Sequence, residues 1–293
     1  MRSIREKANA KINLYLDVLS RREDGFHDIK TIMHSVDFGD DITVSVSPSQ
    51  EREVSLSIVG NRYLPTDNRN LAYKAALLYL EKAKLNCQVN IKIIKRIPVA
   101  AGLAGGSSDA AAVLRALNRL FDKFFTINAL NEIAAELGSD VVYCLYGRAA
   151  LCEGRGEVIT KIKCSLEGYV VIAIANEHIS TPQAYKALDE IFSNFDGSVS
   201  RGEEGYFDII YNSIKENKLD TRGLFNIFER AVLPSCKGAA NAKTRLIELG
   251  AKGAMMSGSG PSVFGVFDTF EAAKRASLTM REEGFKAYYA KIL

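Results

Sequence analysis

Between Lys11 and Val18 apolar and polar residues alternate strictly. Ile12, Leu14, Leu16 and Val18 share one face, and Lys11, Asn13, Tyr15 and Asp17 the other. That period of two predicts a strand. Similar runs over Ile29–Val36, Ile42–Val46, Val54–Val59 and Val89–Ile94 make the early part of the chain mostly β. The period changes at Leu71, where Leu71, Ala75, Leu78 and Lys82 recur at helical spacing and predict a helix over Leu71–Ala83. Further helices are expected over Ala110–Leu120 and over Asn128–Leu137, the second stopped by Gly138. Gly147–Gly156 reads as a strand with a tight turn, after which a first domain closes.

The second half opens on a buried-looking strand, Tyr169–Ala175. Thr181 and Pro182 are a helix cap and a first helical residue, so a helix is expected to about Phe192. The polar stretch Asn194–Gly205 predicts a loop. Helical patterns cover Phe207–Glu216, Phe225–Val232 and Ala239–Leu249. Gly253–Met256 and Ser262–Phe267 read as strands on either side of a small-residue turn, Ser257–Pro261, followed by a helix, Phe270–Glu283, and a strand, Lys286–Ala290. These elements define a mixed α and β chain, divided here as 1–160 and 161–293.

Composition narrows the function classes. With 47% hydrophobic residues over 293 positions the chain can bury a sizeable core. A net charge of +3 is too small to argue for a nucleic-acid partner. The longest apolar run, Tyr169–Ala175, is too short to span a bilayer. The first residues lack the apolar centre of a signal peptide, and five cysteines lie scattered without a C-x-x-C pair. Both features predict a reducing, cytoplasmic location. Three histidines without an H-E-x-x-H pattern argue against a protein-built zinc site.

The richest chemistry lies between Pro98 and Ala111, P-x-x-x-G-L-A-G-G-S-S-D-A-A. Glycines here let successive N–H groups turn inward, and the following helix adds its unpaired donors and positive dipole end. The stretch reads either as a phosphate cradle or as a tight turn in which Ser107, Ser108 or Asp109 caps the helix. It is neither a Walker A loop, since no lysine follows the glycines, nor a G-x-G-x-x-G fingerprint. Elsewhere Lys11 and Asn13 share a strand face, Phe26 and His27 form a loop pair able to stack on and bond a flat ring, and Asp140 follows the Gly138 stop as a helix cap or a catalytic carboxylate.

Read as a whole, the Pro98–Ala111 string resembles the central motif of the GHMP kinases. Ala10-Lys-Ile-Asn13 and Met256-Ser-Gly-Ser-Gly-Pro-Ser262 resemble two further motifs of that family, in the same order. Asp24-Gly-Phe-His27, Gly138-Ser-Asp-Val141 and Glu153-Gly-Arg-Gly156 resemble the branch whose substrate is a cytidine-diphosphate-linked methylerythritol. The resemblance implies two α+β domains with the active site in the cleft between them, and ATP with Mg2+ as cofactors. The implied reaction is phosphorylation of the substrate's 2-hydroxyl on the non-mevalonate route to isoprenoid precursors. It implies Asp140 as catalytic aspartate and Lys11 as its partner. Pro98, Gly102, Leu103, Ala104, Gly105, Gly106, Ser107 and Ser108 would then hold ATP, with Asn70, Leu71 and Lys95 at the adenosine and Ser108 a candidate magnesium ligand. Asn13, Phe26, His27, Tyr185, Ser257 and Gly258 would hold the second substrate. Phe26 departs from the family's usual tyrosine, and Val142 from its usual proline. A GHMP kinase of homoserine or mevalonate type and a non-catalytic sensor are the competing readings. The sequence assigns no oligomeric state.

Overall fold

The computed structural model describes residues 2–177, 179–192 and 204–293. In chain order the elements are β1 (Arg2–Arg21), β2 (His27–Pro48), β3 (Glu53–Val59), α1 (Leu71–Ala83), β4 (Cys87–Ile94), α2 (Gly105–Leu120), α3 (Ile127–Leu137), α4 (Ser139–Tyr146), β5 (Ala150–Glu153) and β6 (Val158–Lys161). There follow β7 (Tyr169–Ile174), α5 (Thr181–Phe192), α6 (Glu204–Lys215), β8 (Phe225–Asn226), α7 (Glu229–Val232), α8 (Lys237–Glu248), β9 (Gly253–Met256), β10 (Val263–Phe267), α9 (Phe270–Glu282) and β11 (Lys286–Lys291). The loop expected over Asn194–Gly205 lies outside the described residues as far as 203, and its last two residues already belong to α6.

Two expectations need correction. The runs Ile29–Val36 and Ile42–Val46 are one strand of 22 residues, uninterrupted by Asp40 and Asp41. Asp40 is fully buried, and its Oδ1 accepts the backbone N–H groups of Arg96 and of Ile97 (2.8 Å), so the charge that separates the two apolar runs is absorbed by a neighbouring segment. The helix expected over Phe225–Val232 is a short strand followed by one helical turn. Phe225 and Asn226 pair in parallel with Tyr15 and Leu16, and the Asn226 Oδ1 accepts the Phe228 N–H, a local bond that competes with helix.

The chain forms two compact units. The first gathers Met1–Ala10, Gly39–Val99 and Ala104–Gly147. In it β2 runs antiparallel to β4 from Asp41↔Ile94 to Pro48↔Cys87, and β3 runs parallel to β4 from Glu53↔Gln88 to Val59↔Ile94. Parallel neighbours need a crossover, which α1 supplies. Ala72, Ala75 and Ala76 on α1 and Ala110, Ala111 and Ala112 on α2 are fully buried, small side chains that let the helices pack closely. Tyr79 closes that contact by donating to the Asn118 Oδ1 at 3.1 Å.

The second unit gathers Lys11–Phe38, Ala100–Leu103 and Arg148–Leu293. Here β2 pairs with β5, β5 with β6, and an antiparallel sheet runs β11-β7-β10-β9. Val171, Ala173, Leu246, Val263, Phe267 and Met280 belong to its core. This grouping and a linear cut at residue 160 partition the chain differently, since β1 and β2 each contribute to both units. Among the described residues no helix is long and apolar enough to cross a membrane.

Candidate active site

Helix α2 begins at Gly105, five residues before the apolar period becomes visible at Ala110. Ala104, in the left-handed conformation (φ 56°), turns the chain into it, and no side chain caps it. The N–H of Ser108 is bonded to the Ala104 carbonyl at 2.8 Å, so Gly105, Gly106 and Ser107 precede the first intrahelical bond with their donors pointing out of the helix end. None of the three expected capping residues caps: Ser108 Oγ donates back to the Gly105 carbonyl (3.0 Å), and Asp109 is buried in an ion pair. An uncapped N-terminus of a 16-residue helix, opened by two glycines, has the unpaired donors and positive dipole end that suit it as an anion seat.

Beneath that seat lies Lys95. Its side chain is 6% exposed, and its Nζ donates to Asp40 Oδ2 (2.5 Å) and Asp109 Oδ2 (2.6 Å). Burial, above all, drives the Asp109 carboxyl well above the usual carboxylate range, with Lys95 opposing and Asp40 adding. A Cβ on Gly105 would lie 3.1 Å from the Lys95 Nζ and 3.0 Å from the Ile97 Cγ2, so only glycine fits there without displacing a neighbour. A Cβ on Gly106 would lie 3.7 Å from the Leu71 Cδ1. Leu71 and Lys95 therefore flank the two glycines, whereas the Asn70 amide is engaged in structure, accepting from Ala72 N (2.9 Å) and donating to the Pro65 carbonyl (3.0 Å). Pro98 is half-buried in the segment leading to this loop.

In the second unit Lys11 and Asn13 are buried rather than solvated. The Lys11 Nζ donates to Asn13 Oδ1 (2.7 Å), Asn13 Nδ2 donates to Thr31 Oγ1 (2.8 Å), and Thr31 Oγ1 donates to the Tyr15 carbonyl (2.6 Å). An ammonium has three donors, and within this unit no carboxylate among the described residues forms an ion pair with Lys11. The segment Ala100–Leu103 is held beside it: Lys11 N donates to the Leu103 carbonyl (3.2 Å), Ser257 Oγ to the Gly102 carbonyl (3.1 Å) and Ser262 Oγ to the Ala101 carbonyl. Gly102 has φ 71°, and a Cβ there would fall 2.1 Å from the Ser257 carbonyl oxygen. Ser257 thus acts on the loop through its hydroxyl. A Cβ on Gly258 would lie 3.3 Å from the Lys11 Nζ. Asn226 fixes this turn, its Nδ2 donating to the carbonyls of Met256 (2.7 Å) and Gly258 (2.8 Å).

The Arg22–Phe26 turn presents the aromatic pair. Arg22 N donates to the Phe26 carbonyl (2.8 Å), Gly25 takes φ 83°, and the Phe26 N–H on Asp24 Oδ1 is the first of the contacts that hold the Asp24 carboxyl below its usual range. Phe26 is 51% exposed, with the Arg155 guanidinium 3.7 Å from its ring centroid. His27 is buried, stacked on Tyr185 at 4.6 Å and 25°, with its Nε2 2.8 Å from Asp189 Oδ1.

Asp140 occupies the first turn of α4 in the first unit, after Gly138 (φ 154°), which ends α3 and begins α4. It is half-buried ahead of the buried Val141, Val142 and Tyr143, and no side chain caps α4. The capping alternative is thereby set aside. Asp40, Asn226, Thr31 and Asp189 were missed from the sequence. Only Asp189 left a usable signal there, lying four residues after Tyr185 and so on the same helical face.

Known proteins place this arrangement. Residues 70–148 match the GHMP kinases N terminal domain and residues 211–286 the GHMP kinases C terminal domain, which defines the class: a GHMP kinase. A 4-diphosphocytidyl-2-C-methyl-D-erythritol kinase of Clostridium botulinum is 40% identical over 282 residues, covering 94% of this chain and 95% of the relative. The corresponding kinase of Clostridium perfringens is 40% identical over 274 residues, covering 92% and 91%. The chain therefore belongs to the 4-diphosphocytidyl-2-C-methyl-D-erythritol kinase family. A crystal structure of a 4-(cytidine 5'-diphospho)-2C-methyl-D-erythritol kinase superposes with a TM-score of 0.80 at 31% identity over 99% of both chains. A homoserine kinase from Cytophaga hutchinsonii shares the fold, with a TM-score of 0.79 at 22% identity over 100% of this chain and 95% of that one.

Proposed function

We propose that this chain transfers the γ-phosphoryl group of ATP to the 2-hydroxyl of 4-diphosphocytidyl-2-C-methyl-D-erythritol. Family membership supplies the reaction, and the uncapped start of α2 is the observation that carries the ATP site. Gly105, Gly106 and Ser107 direct backbone donors at the phosphates, while Gly102, Leu103 and Ala104 set the path of the chain into the helix. Leu71, with Lys95 beneath, borders the nucleotide. Asp140, not engaged as a cap, accepts or orients the proton of the attacking hydroxyl. Lys11, a buried cation with donors to spare, stabilises charge that develops during transfer. Asn13 orients Lys11, Phe26 offers a ring face to the base, His27 reads the base edge, and Tyr185 supports His27. Gly258, lacking a Cβ, leaves room beside the Lys11 ammonium.

Magnesium accompanies ATP in this proposal by neutralising triphosphate charge. Ser108 does not fit as its ligand, because the hydroxyl is buried and turned back onto the Gly105 carbonyl.

The test is magnesium-dependent ADP release with the cytidylyl substrate, homoserine and mevalonate in parallel against a blank without acceptor. Turnover confined to the first is the expected result. Turnover on homoserine or mevalonate would keep the kinase and discard the base site, and none on any acceptor would favour a sensor.

A further inference from the structure

What the His27 side chain can read on a base edge depends on which ring nitrogen carries a proton. Asp189, on α5, places its Oδ1 2.8 Å from the His27 Nε2. An ionised carboxylate only accepts, so a neutral imidazole facing it must carry its proton on Nε2. Nδ1 is then a lone pair. The ring that carries it is held in orientation from two sides, by Asp189 at its edge and by Tyr185 stacked on its face at 4.6 Å. Tyr185 and Asp189 lie one helical turn apart, so α5 delivers both restraints together.

We propose that Asp189 is a specificity-determining positioning residue: it fixes His27 in the Nε2–H form, so that Nδ1 accepts from the exocyclic amino group of cytosine and opposes the carbonyl that uracil carries at the same place. The proposal rests on His27 as the reader of the base. Discrimination arises from the mismatch, because a lone pair facing a second acceptor leaves both without a donor. The other tautomer would invert the preference, since Nδ1–H would meet the amino group of cytosine with a second donor. Asp189 touches neither the phosphates nor the reacting hydroxyl in this assignment.

The test combines a spectroscopic and a kinetic measurement. With only three histidines in the chain, nitrogen-15 spectra of the histidine-labelled protein resolve the state of His27. In the wild type the proton is expected on Nε2, and Asp189→Ala is expected to yield a tautomer mixture. In the same variant the KM for the cytidylyl substrate should rise about tenfold, as the loss of one oriented hydrogen bond implies, with kcat and the KM for ATP within about twofold. Preference over the uridylyl analogue should fall by a similar factor, and Asp189→Glu should restore part of it.

A proton on Nδ1 in the wild type, an unchanged base preference in Asp189→Ala, or an equal loss in kcat and in the KM for ATP would each overturn the proposal. Its failure is distinguishable from failure of the underlying reading by running His27→Ala alongside. If His27→Ala abolishes the preference while Asp189→Ala preserves it, only the role of Asp189 falls. If His27→Ala leaves the preference intact, the base reader itself is misassigned. In a His27→Ala background, Asp189→Ala should add nothing further.

Discussion

Helices α2 and α8 start with the same resource and use it in opposite ways. Gly105 and Gly106 open α2 with their N–H groups uncapped. At α8 the N–H of Gly238 meets both oxygens of Glu177 (2.9 and 3.1 Å), and that of Ala239 meets Oε2 at 3.3 Å. A carboxylate from 61 residues upstream occupies the positive end of α8, whereas α2 offers the same end to an anion the chain does not provide. Helix α4 is a third case, carrying Asp140 in its first turn without using it as a cap. In the proposed function the helix start that meets the ligand is the one the protein leaves unfinished.

The largest effect should come from Asp140→Ala. Loss of a positioned general base predicts a fall in kcat of about 10²–10⁴-fold with ATP affinity nearly unchanged. Equal losses in both, read by steady-state kinetics and nucleotide titration, would return Asp140 to the structural class of Glu177. Gly105→Ala comes next. The added methyl meets the Lys95 ammonium and the Ile97 side chain, displacing the first turn of α2, so the KM for ATP should rise by about 10²-fold. An unaltered KM would remove the phosphates from that helix end.

Glu177→Ala is the complementary experiment. It strips two N–H groups of their acceptor and should cost about 1–2 kcal/mol in denaturant unfolding, with kcat and both KM values unchanged. Added sulfate should recover more stability in this variant than in the wild type, since it turns the start of α8 into what α2 already is. The smallest signal is local: a non-hydrolysable ATP analogue should slow hydrogen exchange at Gly105, Gly106 and Ser107 and leave Gly238 and Ala239 untouched. Equal protection at both ends would erase the contrast.

The glycine string, the Lys11 strand and the Leu71–Ala83 helix were legible because each is a local pattern of period or spacing. The start of α2 was not, since two glycines weaken the helical signal in the turn that matters most. Asp40 went unassigned because its partners, the N–H groups of Arg96 and Ile97, lie 56 and 57 residues away. Asn226 was hidden inside an apolar run that mimics a helix, and the strand it belongs to exists only through pairing with Tyr15 and Leu16. What the sequence concealed was chiefly the support of the site, whose members act over long separations and carry no motif.

That support bears on protein engineering. Residues 256–262 look like a portable cassette, a short glycine-rich insert to be moved between scaffolds. Yet the carbonyls of Met256 and Gly258 are both clamped by one amide that lies 30 and 32 positions earlier, itself anchored in a strand beside β1. A graft that carried the cassette without Asn226 would transfer the letters of the motif and lose its shape. The transplantable unit is the turn together with its distant clasp.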